Sequence, residues 1–524
     1  MSPPAGRRAG LVAPVFACPS SAAWGIGEIP DLGRLGRWLS GAGLHALQIL
    51  PVNEMSWSEQ SPYGSMTAMA LDPLYLSLAA MPEFAALGGE AGLDAGDRRA
   101  LDEVRRSTRV EYAAVRALKH RALAAAFEWF CDAEWRPGGR RADALRDYIA
   151  DEAWWIDAYA LYRAIRHEQG ERPWTDWPAG LRTRDEAAID ETRQRLAREI
   201  LFRQYLQWHA SVQWREARAA APGVALLGDL PFMVSGDSAD VWARQDQFRL
   251  DVSLGVPPDA FSATGQNWGL PVYRWDVMAA DGFAWLRARA RRAAALHDGY
   301  RIDHLVGFYR TYGWPASGAA FFAPRTEPEQ LALGERVLRL FRETGAEIIA
   351  EDLGTVPDFV RASLARLGVP GFRVLRWERE WDEPGAPFRD PSTYPARSVA
   401  TTGTHDTETL AEWWEEAPAD ERAAVAAMPG LAARSSGRDL AREPFSAAVR
   451  DILLETLYAS GSDLVLFPVQ DIFGWRDRIN TPATVDAANW TYRLPWPVDR
   501  LGEIPEARER QATLRRWAHV HGRE

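Results

Sequence analysis

Three acids stand where an apolar chain has reason to avoid them. Asp303 interrupts "GYRIDHLVGFYR" (299–310), Glu351 follows the apolar start of "EIIAEDL" (347–353), and Asp406 comes directly after "SVATTGTH" (398–405). A carboxylate taken out of water is costly unless it is paired or neutralised, so such positions call for a use. If 299–305 is a strand, its period of two puts Arg301 and Asp303 on one face and Ile302 on the other. A guanidinium beside a carboxyl favours the carboxylate, the form that attacks a sugar C1. A carboxyl at the rim of an apolar strand, as Glu351 is, tends to hold its proton and suits a general acid. Two carboxyls whose proton affinities are pushed apart form the retaining-glycosidase pair. Asp406 adds a third acid that can bind sugar hydroxyls and stabilise positive charge at an oxocarbenium-like transition state. His304 and His405 are natural hydroxyl donors. Taken singly, an Asp at a strand end commonly caps a loop and a His beside it is commonly structural. Three acids in three separate apolar runs point to a barrel enzyme acting on carbohydrate.

The elements that must position them are short β-rich runs. Eight are found: 11–17, 46–52, 224–234, 299–305, 347–353, 372–377, 398–405 and 463–469. Helix-like segments such as "DLGRLGRWLSGAG" and "PDFVRASLARLG" separate most of them. Repeated strand and helix predict a parallel sheet, and eight units predict a closed (β/α)₈ TIM barrel. An open doubly wound sheet is the alternative. The whole chain, 1–524, reads as one catalytic barrel domain with two long interruptions. Residues 53–223, after the second strand, read as an inserted, mainly helical subdomain with amphipathic stretches near 97–133, 145–169 and 184–220. Residues 235–298, after the third strand, carry "GVPPDAFSATGQNWGLPVYRW" and read as an ordered functional loop.

Composition narrows the chemistry. The formal net charge of −11 argues against nucleic acid and anionic membrane as partners. No apolar run reaches the length of a spanning helix. The first 25 residues imitate a secretory signal, but the apolar run there is short and contains Pro14, and it reads as a strand. Only Cys18 and Cys131 occur, which fits a reducing cytoplasm and offers neither a disulfide framework nor a multi-Cys metal site. The 24 Trp residues are an excess that suits stacking on the apolar faces of sugar rings. "GIGEIP" (25–30) lacks the third Gly of a dinucleotide fingerprint, and "GDSAD" (236–240) fails the nucleophile elbow. No phosphate-binding loop, zinc-binding H-E-x-x-H or EF-hand pattern occurs.

Beyond these patterns, "GYRIDHLVGF", "IIAEDLG" and "GTHDTETL" resemble the catalytic regions of the 4-α-glucanotransferases, the amylomaltases and disproportionating enzymes of glycoside hydrolase family 77. "SPYGSMTAMALDPLYLSL" (61–78), "GDLPFMVSGDSADVWA" (228–243), "GVPPDAFSATGQNWGLPVYRW" (255–275) and "RINTPATVDAANWTYRL" (478–494) also resemble that family, from about residue 20 to 495. The resemblance implies Asp303 as nucleophile, Glu351 as acid and then base, and Asp406 as transition-state stabiliser. It implies substrate contacts from Arg301, His304, His405 and Asp229, a glucan path lined by Tyr63, Phe261, Gln266 and Trp268, and a rim shaped by Asn480. It implies transfer of α-1,4-glucan segments to the 4-hydroxyl of another glucan or of glucose by a retaining double displacement. Malto-oligosaccharides and glucans from starch or glycogen would be the substrates, with no cofactor and no metal. The sequence departs from the family at Ala260, where a Tyr before Phe261 is common, and at "THDTET", where "THDNDT" is common.

Three other readings have their own signatures. An amylase-like hydrolase would use the same acids with water as acceptor. An inactive glucan binder would have lost one of them. An oxidoreductase or aldolase barrel would need a nicotinamide motif or a Schiff-base Lys, and none of the eight runs contains Lys.

Overall fold

In this computed structural model the described residues are 6–258, 264–482, 484 and 486–524. They contain twelve strands: β1 (Arg8–Val12), β2 (Ala46–Gln48), β3 (Ala225–Pro231), β4 (Phe248–Val256), β5 (Gln266–Tyr273), β6 (Gly299–Asp303), β7 (Thr311–Pro315), β8 (Phe321–Ala323), β9 (Glu347–Ala350), β10 (Gly371–Val374), β11 (Ser398–Thr401) and β12 (Leu464–Pro468). Eight of them close a barrel in the order β1-β12-β11-β10-β9-β6-β3-β2. Every neighbouring pair is parallel. With helices packed around it, this is a (β/α)₈ barrel. Each of the eight apolar runs overlaps one barrel strand; β1 begins three residues before its run, β10 one residue before its run, and several strands end earlier than the run does. The first run continues to Ala17, but Pro14 has no N–H to give a ladder, and Val15–Ala17 turn into a 3₁₀ helix.

The barrel helices lie close to the sheet. Helix Ile29–Gly41 presents Gly33 and Gly36 to helix Ala197–Ala219 and the residues just after it. A Cβ at Gly33 would stand 2.7 Å from the Ala220 Cβ, and one at Gly36 within van der Waals overlap of Ala221. The close approach therefore requires glycine there. Helix Ala197–Ala219 thus serves as the crossover between β2 and β3, while helices Ala95–Arg106, Tyr112–Phe130 and Arg140–Glu168 precede it in the 53–223 interruption. Ser107–Glu111 break the 97–133 stretch into two helices.

The barrel floor is bridged by an ion pair. β1 and β9 are four strands apart in a ring of eight, so they face each other. Arg8 at the start of β1 reaches both carboxylate oxygens of Glu347 at the start of β9, at 2.7 and 2.8 Å.

The second interruption is more regular than the sequence predicts. β4 and β5 pair antiparallel, and β4 also pairs with β7, giving a second sheet of order β5-β4-β7-β8. The described part of 235–298 therefore holds the antiparallel strands β4 and β5 together with helices Ala239–Ala243, Trp275–Ala280 and Ala284–Leu296. Gly255, Gly269 and Pro271, together with a register shift between Leu254 and Gly255, break the alternation that marks a strand. Ala260 and Phe261 lie outside the described residues.

Candidate active site

The chemistry gathers at the C-terminal mouth of the barrel, where strand ends meet the loops that follow them. Register brings the first groups together. β3 and β6 align Asp229 with Arg301 and Pro231 with Asp303. The fork of Arg301 is divided between two strands: Nη1 donates to Asp229 Oδ2 at 2.5 Å and Nη2 to Asp303 Oδ1 at 2.6 Å. Tyr63 donates its hydroxyl to the same Asp229 oxygen at 2.7 Å. Asp229 and Arg301 are buried. Burial pushes the Asp229 carboxyl up, against the pull of Arg301. Its other oxygen, Oδ1, is buried without a hydrogen-bond partner among the described residues, an acceptor for a hydroxyl.

Glu351 follows β9, the neighbour of β6 on its other side. It accepts from the backbone N–H of His304 at 2.8 Å on one oxygen and from that of Leu353 at 2.9 Å on the other. The His304 N–H is turned toward Glu351 by a left-handed backbone, φ 44°, which costs a non-glycine residue about 1–2 kcal/mol. Burial raises the Glu351 carboxyl to about 7; Arg301 opposes this, and the charge of Asp303 adds to it. The adjacent acid, Asp352, plays a different part. It accepts from Phe372 N at 2.7 Å and pairs with Arg361 at 3.1 Å, tying β9 to the elements that follow.

Asp406 sits beyond β11. His405 Nε2 lies 3.2 Å from one carboxylate oxygen and Asn480 donates to the other at 2.6 Å. Burial would raise this carboxyl, but His405 and Asn480 outweigh it and hold it well below the usual range. The same contact raises His405 despite burial. His304 behaves oppositely: burial takes it down to about 4, so it is a neutral imidazole. The His405 ring stacks on Tyr63, centroids 5.4 Å apart and planes 19° from parallel. Trp268 meets the His304 ring edge-on at 4.9 Å, and its indole N–H donates to Gln266 at 3.2 Å. Direct contacts thus join Arg301, Asp303, Asp229, Tyr63, His405, Asp406 and Asn480 in one set and Glu351, His304, Trp268 and Gln266 in a second, and the two meet where His304 follows Asp303 in the chain. Phe261 lies outside the described residues.

Two members carry no mark of their own in the sequence reading. Trp490, at φ 64°, packs on both Tyr63 and His405 at 5.8 Å. Arg478 donates to the Asp406 carbonyl at 3.2 Å. Both lie in "RINTPATVDAANWTYRL", and the Trp excess was the one signal that could have drawn attention to Trp490.

A parallel barrel whose mouth holds one carboxyl against a guanidinium, a second raised by burial to about 7 and a third held well below the usual range defines a carbohydrate-active barrel enzyme. The comparisons are more specific. The model of the 4-alpha-glucanotransferase family, glycoside hydrolase family 77, matches residues 13–499. A Thermus thermophilus 4-alpha-glucanotransferase is 35% identical over 497 residues, covering 90% of this chain and 93% of that protein. One from Chlamydia pneumoniae is 33% identical over 503 residues, covering 94% and 92%. The solved amylomaltase of Streptococcus agalactiae, in complex with acarbose, superposes with a TM-score of 0.81 at 26% identity, covering 98% of this chain and 99% of its own. The chain belongs to the 4-alpha-glucanotransferases of glycoside hydrolase family 77. Its activity is glycosyl transfer between α-glucans.

Proposed function

We propose that the transfer runs by double displacement on malto-oligosaccharides and on glucans derived from starch or glycogen, with a second glucan or glucose as acceptor. Asp303 attacks the anomeric carbon and forms a covalent glucosyl ester. Glu351 gives its proton to the departing glycosidic oxygen. The 4-hydroxyl of the acceptor, deprotonated by Glu351, then attacks the ester carbon, and Asp303 leaves as a carboxylate. Two inversions retain the configuration. Asp406 stabilises the positive charge that develops on the sugar in both steps, held in place by His405 and Asn480. Asp229, Arg301 and His304 position the sugar that becomes covalently bound. Tyr63, Gln266 and Trp268 line the path of the chain.

The observation that carries this reading is the contrast between neighbouring strand ends. Asp303 faces the Arg301 guanidinium at 2.6 Å, while Glu351, one strand on, holds its proton up to about pH 7. Transfer must also outrun water, and a held acceptor gains the advantage of an intramolecular reactant. We assign the interruption 53–223, apart from its crossover helix Ala197–Ala219, as an inserted helical subdomain, and 235–298 as the segment that carries a substrate lid. The setting we propose is the cytoplasm: Cys18 and Cys131 are both buried and unpaired, as in reducing compartments. Among the described residues no helix is long and apolar enough to cross a membrane.

The test is incubation with pure maltotriose and separation of products by size over time. Glucose with a ladder of longer malto-oligosaccharides is the expected result. Shorter products alone, with reducing ends rising, would make water the acceptor. Folded protein that leaves maltotriose unchanged would refute the α-glucan assignment.

A further inference from the structure

We propose that Trp381 is a remote α-glucan-binding platform, holding the part of a long chain that extends beyond the catalytic residues. This rests on the α-glucan reading above. Trp381 is 71% exposed, the most exposed large apolar side chain among the described residues. No ring contact or side-chain hydrogen bond reaches its indole among those residues. Its place in the fold gives that exposure meaning. It sits in the connection from β10 to β11, and β10 stands between β9 and β11 in the barrel ring. The loop therefore rises from the mouth between the strands that deliver Glu351 and Asp406.

The loop is also built to hold its tip still. Arg379 and Phe388 form an antiparallel bridge, and the Arg379 guanidinium lies 3.8 Å over the Phe388 ring. Phe388 is buried in the core beneath. Glu380 N donates to Pro387 O at 2.9 Å, Arg389 N to Glu378 O at 2.9 Å, and the Arg389 side chain to Glu380 at 2.8 Å. At the root of the loop, Arg376 donates to the carbonyl of Thr402, just past β11. An indole has only two side-chain torsions to order when a ligand covers it, and the braced backbone beside Trp381 limits the freedom that stacking would remove. The surrounding sequence, "EREWDEPG" (378–385), is acidic. That discourages an anionic ligand and offers carboxylate acceptors to the hydroxyls of a neutral one. A neutral, polyhydroxylated chain leaving the catalytic mouth has both properties.

The experiment compares the wild-type chain with Trp381→Ala and Trp381→Tyr by two readouts. The first is transfer kinetics on amylose and on maltotriose, the latter short enough to be held by the catalytic residues alone. Trp381→Ala is expected to raise KM for amylose roughly three- to tenfold, the range of one lost aromatic stack. kcat on amylose and both constants for maltotriose should stay within about twofold, and Trp381→Tyr should restore most of the amylose KM. The second readout is retardation in native gels containing soluble amylose, which needs no turnover: Trp381→Ala should be retarded less than wild type. Equal amylose KM and equal retardation in wild type and Trp381→Ala would overturn the platform. So would a parallel loss on amylose and maltotriose, since that places the effect in the catalytic centre. Wild type without transfer activity, but with retardation that depends on Trp381, would reject the catalytic reading and leave the platform standing.

Discussion

Glu351 offers the sharpest test of the electrostatics. A general acid works only while protonated, and burial raises this carboxyl to about 7. Its proton is present below that value and lost as pH rises through it, so kcat/KM of the free enzyme should fall on the alkaline side of about pH 7. Two units above the midpoint only about 1% of the acid remains, so kcat/KM for maltotriose at pH 9 should be about 100-fold below its plateau. The perturbation is Glu351→Gln, assayed both with maltotriose and with a maltosyl fluoride donor. On maltotriose the variant should lose about 10²–10⁴-fold, the usual share of a general acid. Fluoride leaves without protonation, so the glycosylation step of the variant should be largely restored and its alkaline limb should vanish. The single-turnover rate of fluoride release, followed from pH 5 to 9, isolates that step from the later attack of the acceptor. A wild-type profile flat to pH 9 would refute the assignment. So would an alkaline limb that survives in Glu351→Gln, because some other group would then be titrating.

Other substitutions test the neighbouring contacts. Asp303→Asn should cut maltotriose transfer by at least about 10³-fold, with an unchanged circular dichroism spectrum because Arg301 keeps Asp229 and Tyr63. Asn480→Ala removes the 2.6 Å donor to Asp406. Losing one hydrogen bond to a charged group should lower kcat about 10- to 100-fold with little change in KM. Arg8→Ala leaves Glu347 without its partner across the barrel floor, far from the mouth. Urea unfolding should show a loss of about 2 kcal/mol with kcat unchanged, and an unshifted transition would mean the floor pair adds nothing.

The eight barrel strands are legible because a parallel sheet covered on both faces makes its strands continuous apolar runs. The three acids are legible for the same reason, since Asp303 and Glu351 interrupt such runs and Asp406 directly follows one. The sheet of β4, β5, β7 and β8 hides because it is partly exposed and broken by Gly255, Gly269 and Pro271, which removes the apolar signal. Asp229 sits in a readable strand, yet its bond to Arg301 depends on the β3–β6 register, 72 residues apart in sequence. Arg478 and Asn480 reach Asp406 from 72 and 74 residues away, out of the segment after β12. Trp490 depends on a left-handed backbone that nothing in its residue type announces.

Arg301 explains why one small mouth can keep carboxyls in different states. Its buried fork holds Asp229 with one nitrogen and Asp303 with the other. A Lys would bring the same charge but not two directions. Asp406, held well below the usual carboxylate range by His405 and Asn480, brings negative charge to the mouth, complementary to the positive charge that grows at the anomeric carbon. The same arrangement turns Glu351 from acid to base under the proposed roles. The charge on Asp303 is one of the causes that raise Glu351. When Asp303 becomes a neutral ester that push disappears, while Arg301 and the N–H groups of His304 and Leu353 continue to favour the carboxylate. Having given its proton to the departing chain, Glu351 then stays deprotonated until an acceptor hydroxyl supplies another. The ester on Asp303 thus prepares the base that the second step needs, and regeneration of the Asp303 carboxylate restores the acid for the next turnover.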